Sequence, residues 1–147
     1  MSTIRHLLAD KGDEVWTVSP QDTILTVLKL MDEKKAGVVI VVQAEKIVGI
    51  FSERDFARDV AHNSALALDT PVADLMTQLI YVIEPDKSVD EGLALMTDRR
   101  IRHLPVMDKG RLVGLVSIGD LVKHVLEEKE TTIHSLENYI MGHDYNR

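Results

Sequence analysis

The chain has 147 residues, a formal net charge of −7, 45% hydrophobic and 28% charged residues, and no cysteine. Such a length holds one compact unit or two very small ones. The lack of cysteine excludes disulfides, thiolate nucleophiles and Cys-ligated metal or iron–sulfur sites, and the acidic balance argues against nonspecific binding to nucleic acid or anionic membrane. Aromatic residues make up only 4%, so the expected core is aliphatic. The opening stretch, MSTIRHLLADKGDE, lacks the apolar run of a signal peptide. The densest apolar run, VVIVV at 38–42, is too short to span a bilayer. The expectation is a soluble, cytoplasmic protein.

In chain order, VWTV (15–18) reads as a short strand. After Pro20, a helix starts at Thr23, with Ile24, Val27, Leu28 and Met31 on one face. Two strands follow, 38–43 and 46–51, then a helix from about Ser52. Residues 63–71, NSALALDTP, read as a linker. LIYVI (79–83) is again a strand, and Ser88 with Glu91 forms a capping box that opens a helix. Its stripe is Val89, Gly92, Leu93 and Met96. Strands 103–107 and 111–117 flank the turn sequence DKGR, and a helix begins near Ser117. The tail 127–147 carries Ile133, Leu136 and Ile140 at helical spacing, an amphipathic helix that suits the chain's own surface or a dimer partner better than a membrane.

The order strand, helix, strand, strand, helix therefore occurs twice. Slid by 65 positions, residues 18–60 match 83–125 without a gap. Pro20 meets Pro85, Leu28 meets Leu93 and Met31 meets Met96. Gly49, Ser52 and Asp55 of GIFSERD meet Gly114, Ser117 and Asp120 of GLVSIGD. Upstream, IRHLL (4–8) weakly resembles VADLM (72–76), with three extra residues in the first copy. About 60 residues bury only a modest core alone. The fold class expected is α/β (α+β): two repeats burying apolar faces against each other with pseudo-twofold symmetry. The boundaries read as repeat 1 at 1–62, the linker 63–71, repeat 2 at 72–126 and the tail 127–147.

The duplicated unit, with the phrases TVSPQDTILTVLKLM, IVGIFSERDFARDV, VADLMT and DRRIRHLPVMDKGRLVGLVSIGDLV, resembles the tandem cystathionine-β-synthase (CBS) domain pair. The resemblance covers roughly residues 1–126, with no catalytic domain attached, and so is to a stand-alone pair. It implies a regulatory sensor rather than an enzyme. The implied ligands are AMP, ADP, ATP, NAD(H) or S-adenosylmethionine, bound in clefts between the repeats. No cofactor is required, and the implied partners are a second copy in a flat homodimer and a regulated protein.

Ser-x-x-Asp has two readings. The first is capping: Ser is a preferred N-cap, and an acidic residue three positions on returns a hydrogen bond and complements the helix dipole. The second is ligand contact. A carboxylate accepts from both hydroxyls of a ribose, which suits Asp55 and Asp120, while Ser52 and Ser117 reach ribose or a phosphate at the helix N-terminus. Both roles are compatible. Ile50, Phe51, Leu115 and Val116 are candidate walls for an adenine ring, and Gly49 and Gly114 allow either close backbone approach or a strand kink. The copies differ where Gly37 and Val38 align with Arg102 and His103, a pair suited to a phosphate or to solvent, and where Arg54 aligns with Gly119. The two sites are expected to be inequivalent. The resemblance adds Thr17, Val18 and Ser19, and Tyr81 to Ile83, as groups near the purine. Pro105 replaces Ile40 and marks a strand edge or start. The six histidines show no metal-ligand spacing, and no phosphate-binding loop or nucleophile motif is present. The competing reading is a ligand-free dimeric interaction protein whose Ser and Asp residues only cap helices.

Overall fold

The computed structural model describes residues 2–78 and 80–141. The chain divides into two compact units. One comprises Glu14–Val82; the other joins the N-terminal residues through Asp13 to the chain from Ile83 onward. These spatial units cut across the sequence repeats.

In the unit Glu14–Val82, β1 (Thr17–Val18) pairs in parallel with β2 (Val38–Gln43), which pairs antiparallel with β3 (Lys46–Ser52). Helix α2 (Ile24–Lys34) starts where the Thr26 N–H donates to the Thr23 hydroxyl at 3.2 Å, and it buries Ile24, Val27 and Met31. It ends at Lys35 in the left-handed region, φ 56°. The β2–β3 turn places Ala44 and Glu45 both at positive φ, a turn whose twist matches that of paired strands. Helix α3 (Glu53–His62) follows β3 directly. Val18, Ile24, Val27, Met31, Val39, Val41, Phe51 and Val72 form the core, aliphatic but for one ring.

The other unit repeats this plan with α4 (Val89–Arg99), β4 (His103–Asp108) and β5 (Arg111–Ser117). The expected capping box opens α4: the Ser88 N–H donates to Glu91 Oε2 at 2.8 Å, and the Glu91 N–H donates to Ser88 Oγ at 3.0 Å. Each hairpin carries an irregularity at the same place, between Val41 and Val42 and between Val106 and Met107. The closing helix α5 (Ile118–Met141) runs unbroken for 24 residues, so the described part of the tail continues the last repeat helix and is no separate element. The tail beyond Met141 lies outside the described residues.

The strand expected at 79–83 is reduced to a single parallel bridge, Ile83 to Val106; Leu79 lies outside the described residues. Pro105 is the reason. In the first unit the Ile40 N–H donates to the Trp16 carbonyl at 3.0 Å and holds β1 against β2. Pro105 occupies the place of Ile40 and has no N–H to give to Tyr81, the counterpart of Trp16. The strand is held at Ile83, whose N–H donates to the Pro105 carbonyl at 3.0 Å and whose carbonyl accepts from the Met107 N–H at 2.9 Å. Pro105 thus sits third in β4 and shortens its neighbour rather than starting its own strand.

The leading segment of each sequence repeat packs on the other repeat. Helix α1 (Ile4–Lys11) belongs with α4 and β5, and the short 3-10 turn Val72–Asp74 belongs with α2 and β3. The backbone bonds match one for one. The Ile4 N–H donates to the Lys87 carbonyl at 2.9 Å, as Val72 does to Asp22 at 2.8 Å. Arg5 donates to Pro85 as Ala73 does to Pro20, and Val89 donates to Ser2 as Ile24 does to Thr70. Ile4 and Val72 are both fully buried.

This exchange explains the repeated glycines. A Cβ on Gly49 would overlap Met76 Sδ and come within 2.7 Å of its Cγ; one on Gly114 would stand 2.9 Å from both methyls of Leu8. Met76 and Leu8 are the last residues of the weakly matching segments VADLM and IRHLL. The glycines permit the close approach of Met76 and Leu8, and the register shift of each hairpin falls at the same place. Gly49→Ala is therefore expected to cost about 1–3 kcal/mol of stability, with a smaller loss for Gly114→Ala because the ends of Leu8 have more freedom to move. Urea denaturation of both variants checks the order.

Candidate functional site

At the β3–α3 junction, the Asp55 N–H donates to Ser52 Oγ at 3.1 Å and the Ser52 N–H donates to Asp55 Oδ2 at 3.1 Å. At the β5–α5 junction, the Asp120 N–H donates to Ser117 Oγ at 3.1 Å and the Ser117 N–H donates to Asp120 Oδ2 at 2.8 Å. The capping reading of Ser-x-x-Asp is thus realised in both copies. It fixes the rotamer of each aspartate and engages one carboxylate oxygen. The side chains remain 20% exposed at Asp55 and 27% at Asp120, within reach of solvent.

The segment before each hairpin is tied to the same junction. The Glu53 N–H donates to the Gly37 carbonyl at 3.0 Å, and the Ile118 N–H donates to the Arg102 carbonyl at 2.8 Å. Val38 pairs with Ser52 in the ladder and His103 pairs with Ser117. Gly37, Ser52 and Asp55 therefore gather in one unit, and Arg102, His103, Ser117 and Asp120 in the other. Arg54 stands exposed in the first turn of α3, Arg102 is exposed, and His103 is half-buried.

Strand alternation separates the proposed walls. Phe51 and Val116 are fully buried, Val38 is 6% exposed and Ile83 is 5% exposed, so these side chains pack inward. Ile50 and Leu115, on the faces opposite Phe51 and Val116, stay half-buried, while Val38 shares the face of Ile50 and is covered there. Thr17 and Ser19 are exposed. Thr17 lies opposite Ile40 in the ladder, and the Ser19 N–H donates to Asp22 Oδ2 at 2.8 Å. Neither hydrogen-bonds to a Ser-x-x-Asp cap among the described residues. Tyr81 is half-buried, two residues before the Ile83 bridge.

Sequence reasoning missed Lys11, the last residue of α1. Its Nζ lies 2.8 Å from Asp120 Oδ2 and donates to the Leu115 carbonyl at 2.8 Å. Burial works to raise the Asp120 pKa, but the hydrogen bonds from Lys11 and Ser117 and the Lys11 charge outweigh it and hold the carboxyl below its ordinary range. A depressed folded-state pKa stabilises the fold above the unfolded value, and that contribution fades as pH falls through the folded value. Asp55 has a different neighbour, Arg58 of its own helix, with Nη1 at 3.7 Å. Beside Ile50, the position of Leu115, Thr77 exchanges backbone bonds with Ile50 at 2.9 and 3.0 Å. Lys11 falls outside the stretches that match between repeats, so only the exchanged packing brings it to Asp120.

Among the described residues no group of His, Asp and Glu is placed to hold a metal ion, and no helix is long and apolar enough to cross a membrane.

The CBS domain family model matches the chain twice, at residues 10–62 and 72–127. The CBS domain-containing protein CBSX3, mitochondrial, of Arabidopsis thaliana is 33% identical over 150 residues, spanning 96% of this chain and 73% of the relative. A putative signal-transduction protein with CBS domains from Burkholderia ambifaria is 43% identical, with a TM-score of 0.79 over 86% of this chain and 95% of its own. Two more distant structures share the fold: CBSX2 in complex with AMP, at 24% identity and TM-score 0.70 over 88% of this chain, and the CBS domain pair of protein MJ0100 in complex with 5-methylthioadenosine and S-adenosyl-L-methionine, at 22% and 0.75 over 88%. Two matches to the family model, laid on two copies of one helix–hairpin–helix plan, make this chain a member of the CBS domain family.

Proposed function

We propose that this chain is a regulatory, non-catalytic module that binds an adenosyl ligand such as AMP, ADP, ATP or NAD(H) and adjusts the activity of a partner protein. The observation that carries the reading is the duplicated aspartate, held by its own cap with one oxygen engaged and its side chain still reached by solvent. Capping alone asks for nothing beyond the bond to the Ser N–H. A fixed carboxylate acceptor at a helix N-terminus also suits a ribose diol, with the positive end of the helix dipole beside it for phosphate. Arg102 and His103 in one unit, and Arg54 in the other, are the candidate phosphate contacts, beside Lys11 on Asp120 and Arg58 on Asp55. Ile50 and Leu115 are the apolar surfaces left for a purine. The adenosyl ligands of the two distant fold neighbours support the ligand class.

Asp55→Asn and Asp120→Asn separate binding from capping. An amide oxygen still accepts from the Ser N–H, so the fold loses little. The charge-assisted bonds to hydroxyls, about 1.5–3 kcal/mol each, are lost. In Asp55→Asn the affinity is expected to drop roughly 10- to 100-fold, read by isothermal titration with AMP, ATP and NADH. A ligand at about 100 times its dissociation constant raises stability by about 2.7 kcal/mol. A melting panel that also includes S-adenosylmethionine and stays flat at millimolar ligand would leave the interaction-only reading standing.

A second copy is the proposed structural partner. Helix α5 exposes Val122, Leu126, Ile133, Leu136 and Ile140, and with Lys129 these residues continue a three-four spacing along one seam. In an antiparallel pair, Leu126 faces Leu136, Ile140 faces Val122, and Lys129 faces Ile133 instead of another Lys129. Lys123 and Glu137 then flank the seam with opposite charges. Ile133→Lys with Leu136→Lys is expected to turn a dimer into a monomer in sedimentation velocity, without loss of helical circular dichroism.

A further inference from the structure

We infer that Lys11 regulates the second of the two ligand sites, occupying Asp120 and the Leu115 carbonyl so that this site accepts ligand only when the lysine withdraws, while the site at Asp55 stands open. The inference rests on the ligand reading above and assigns a regulation to it. Lys11 is delivered by a well-anchored helix. Ile4 and Leu7 of α1 are buried at 0 and 2% exposure, and Leu8 lies against Gly114 of β5. The Gly12 N–H closes the helix on the Leu8 carbonyl at 2.8 Å, and Gly12 turns the chain away at φ 100°.

From that position the ammonium bonds two atoms at once, each at 2.8 Å, both on residues assigned to the ligand. A hydroxyl pair arriving across both Asp120 oxygens must compete at Oδ2, the cap oxygen, with a cation already in bonding contact. Among the described residues the other unit has no such occupant. The cation near Asp55 is Arg58, which is 62% exposed, sits at 3.7 Å and comes from the same helix. The Ile50 backbone is engaged by Thr77 through a peptide bridge that leaves the Asp55 carboxylate untouched. Two sites with the same Ser-x-x-Asp frame are thereby set to different ligand thresholds.

The test is isothermal titration with AMP of the full chain and of Lys11→Met, Lys11→Arg, Asp55→Asn and Lys11→Met/Asp120→Asn, each checked for an intact thermal transition. The wild type is expected to show an Asp55-dependent site, and Lys11→Met to tighten or reveal a second site by roughly tenfold or more. That gain should vanish in Lys11→Met/Asp120→Asn, and Lys11→Arg should behave as the wild type. Unchanged or weaker binding by Lys11→Met, beside intact Asp55-dependent binding, overturns the regulation alone. Weaker binding would place the amine on the ligand's phosphate. Failure of every variant and the wild type to bind AMP overturns the ligand reading and the regulation together.

Discussion

The exchange of leading segments is the constraint from which the rest of this structure follows. Each of α2 and α4 begins beside a strip of chain belonging to the other repeat, held by the same three backbone bonds. The strip brings a fully buried aliphatic residue, Val72 or Ile4, into the core of its host. It also brings a larger side chain, Met76 or Leu8, onto a strand that has no Cβ at the contact point. Remove the strip and each hairpin loses part of its cover. The glycines in GIFSERD and GLVSIGD are thus tied to residues far away in sequence, while Ser and Asp in the same phrases act locally. One repeated phrase carries two separate physical demands.

Symmetry in the backbone does not extend to charge. The caps at Ser52 and Ser117 are near copies, and both are built from bonds a residue makes within its own turn. What lies over each cap depends on the strip that the exchange delivers. Helix α1 carries Lys11 to β5 and α5, whereas the strip at 70–77 sets Met76 on Gly49 and a peptide group on Ile50 of β3. A duplicated fold thereby presents two chemically different carboxylates.

Much of this was legible in the sequence because it is local. The stripes of α2 and α4, the hairpins, and the caps at Ser52, Ser88 and Ser117 all rest on spacings shorter than eight residues, and the structure has each where the pattern puts it. The exchange was not legible. IRHLL and VADLM show the same local pattern whichever repeat they pack on, and only three-dimensional pairing distinguishes the two. The Lys11–Asp120 contact depends on the exchange and was hidden with it. Pro105 was recognised as lacking a ladder donor, yet the effect fell on the partner at Tyr81, which cross-strand registration alone determines. Phe51 and Val116 were grouped with Ile50 and Leu115 as walls, although strand alternation sends each pair to opposite faces.

The placement of α1 also bears on synthesis. It leaves the ribosome well before the groups that receive it, since Pro85 through Val89 come some eighty residues later and β5 about a hundred. At about 5–20 residues per second the nascent chain waits several seconds with Ile4 and Leu7 uncovered. The sequence-contiguous unit between them can close in that interval, since its own strip is already in hand by residue 77. Assembly from the middle outward, with α1 docking last, is the order this chain connectivity favours.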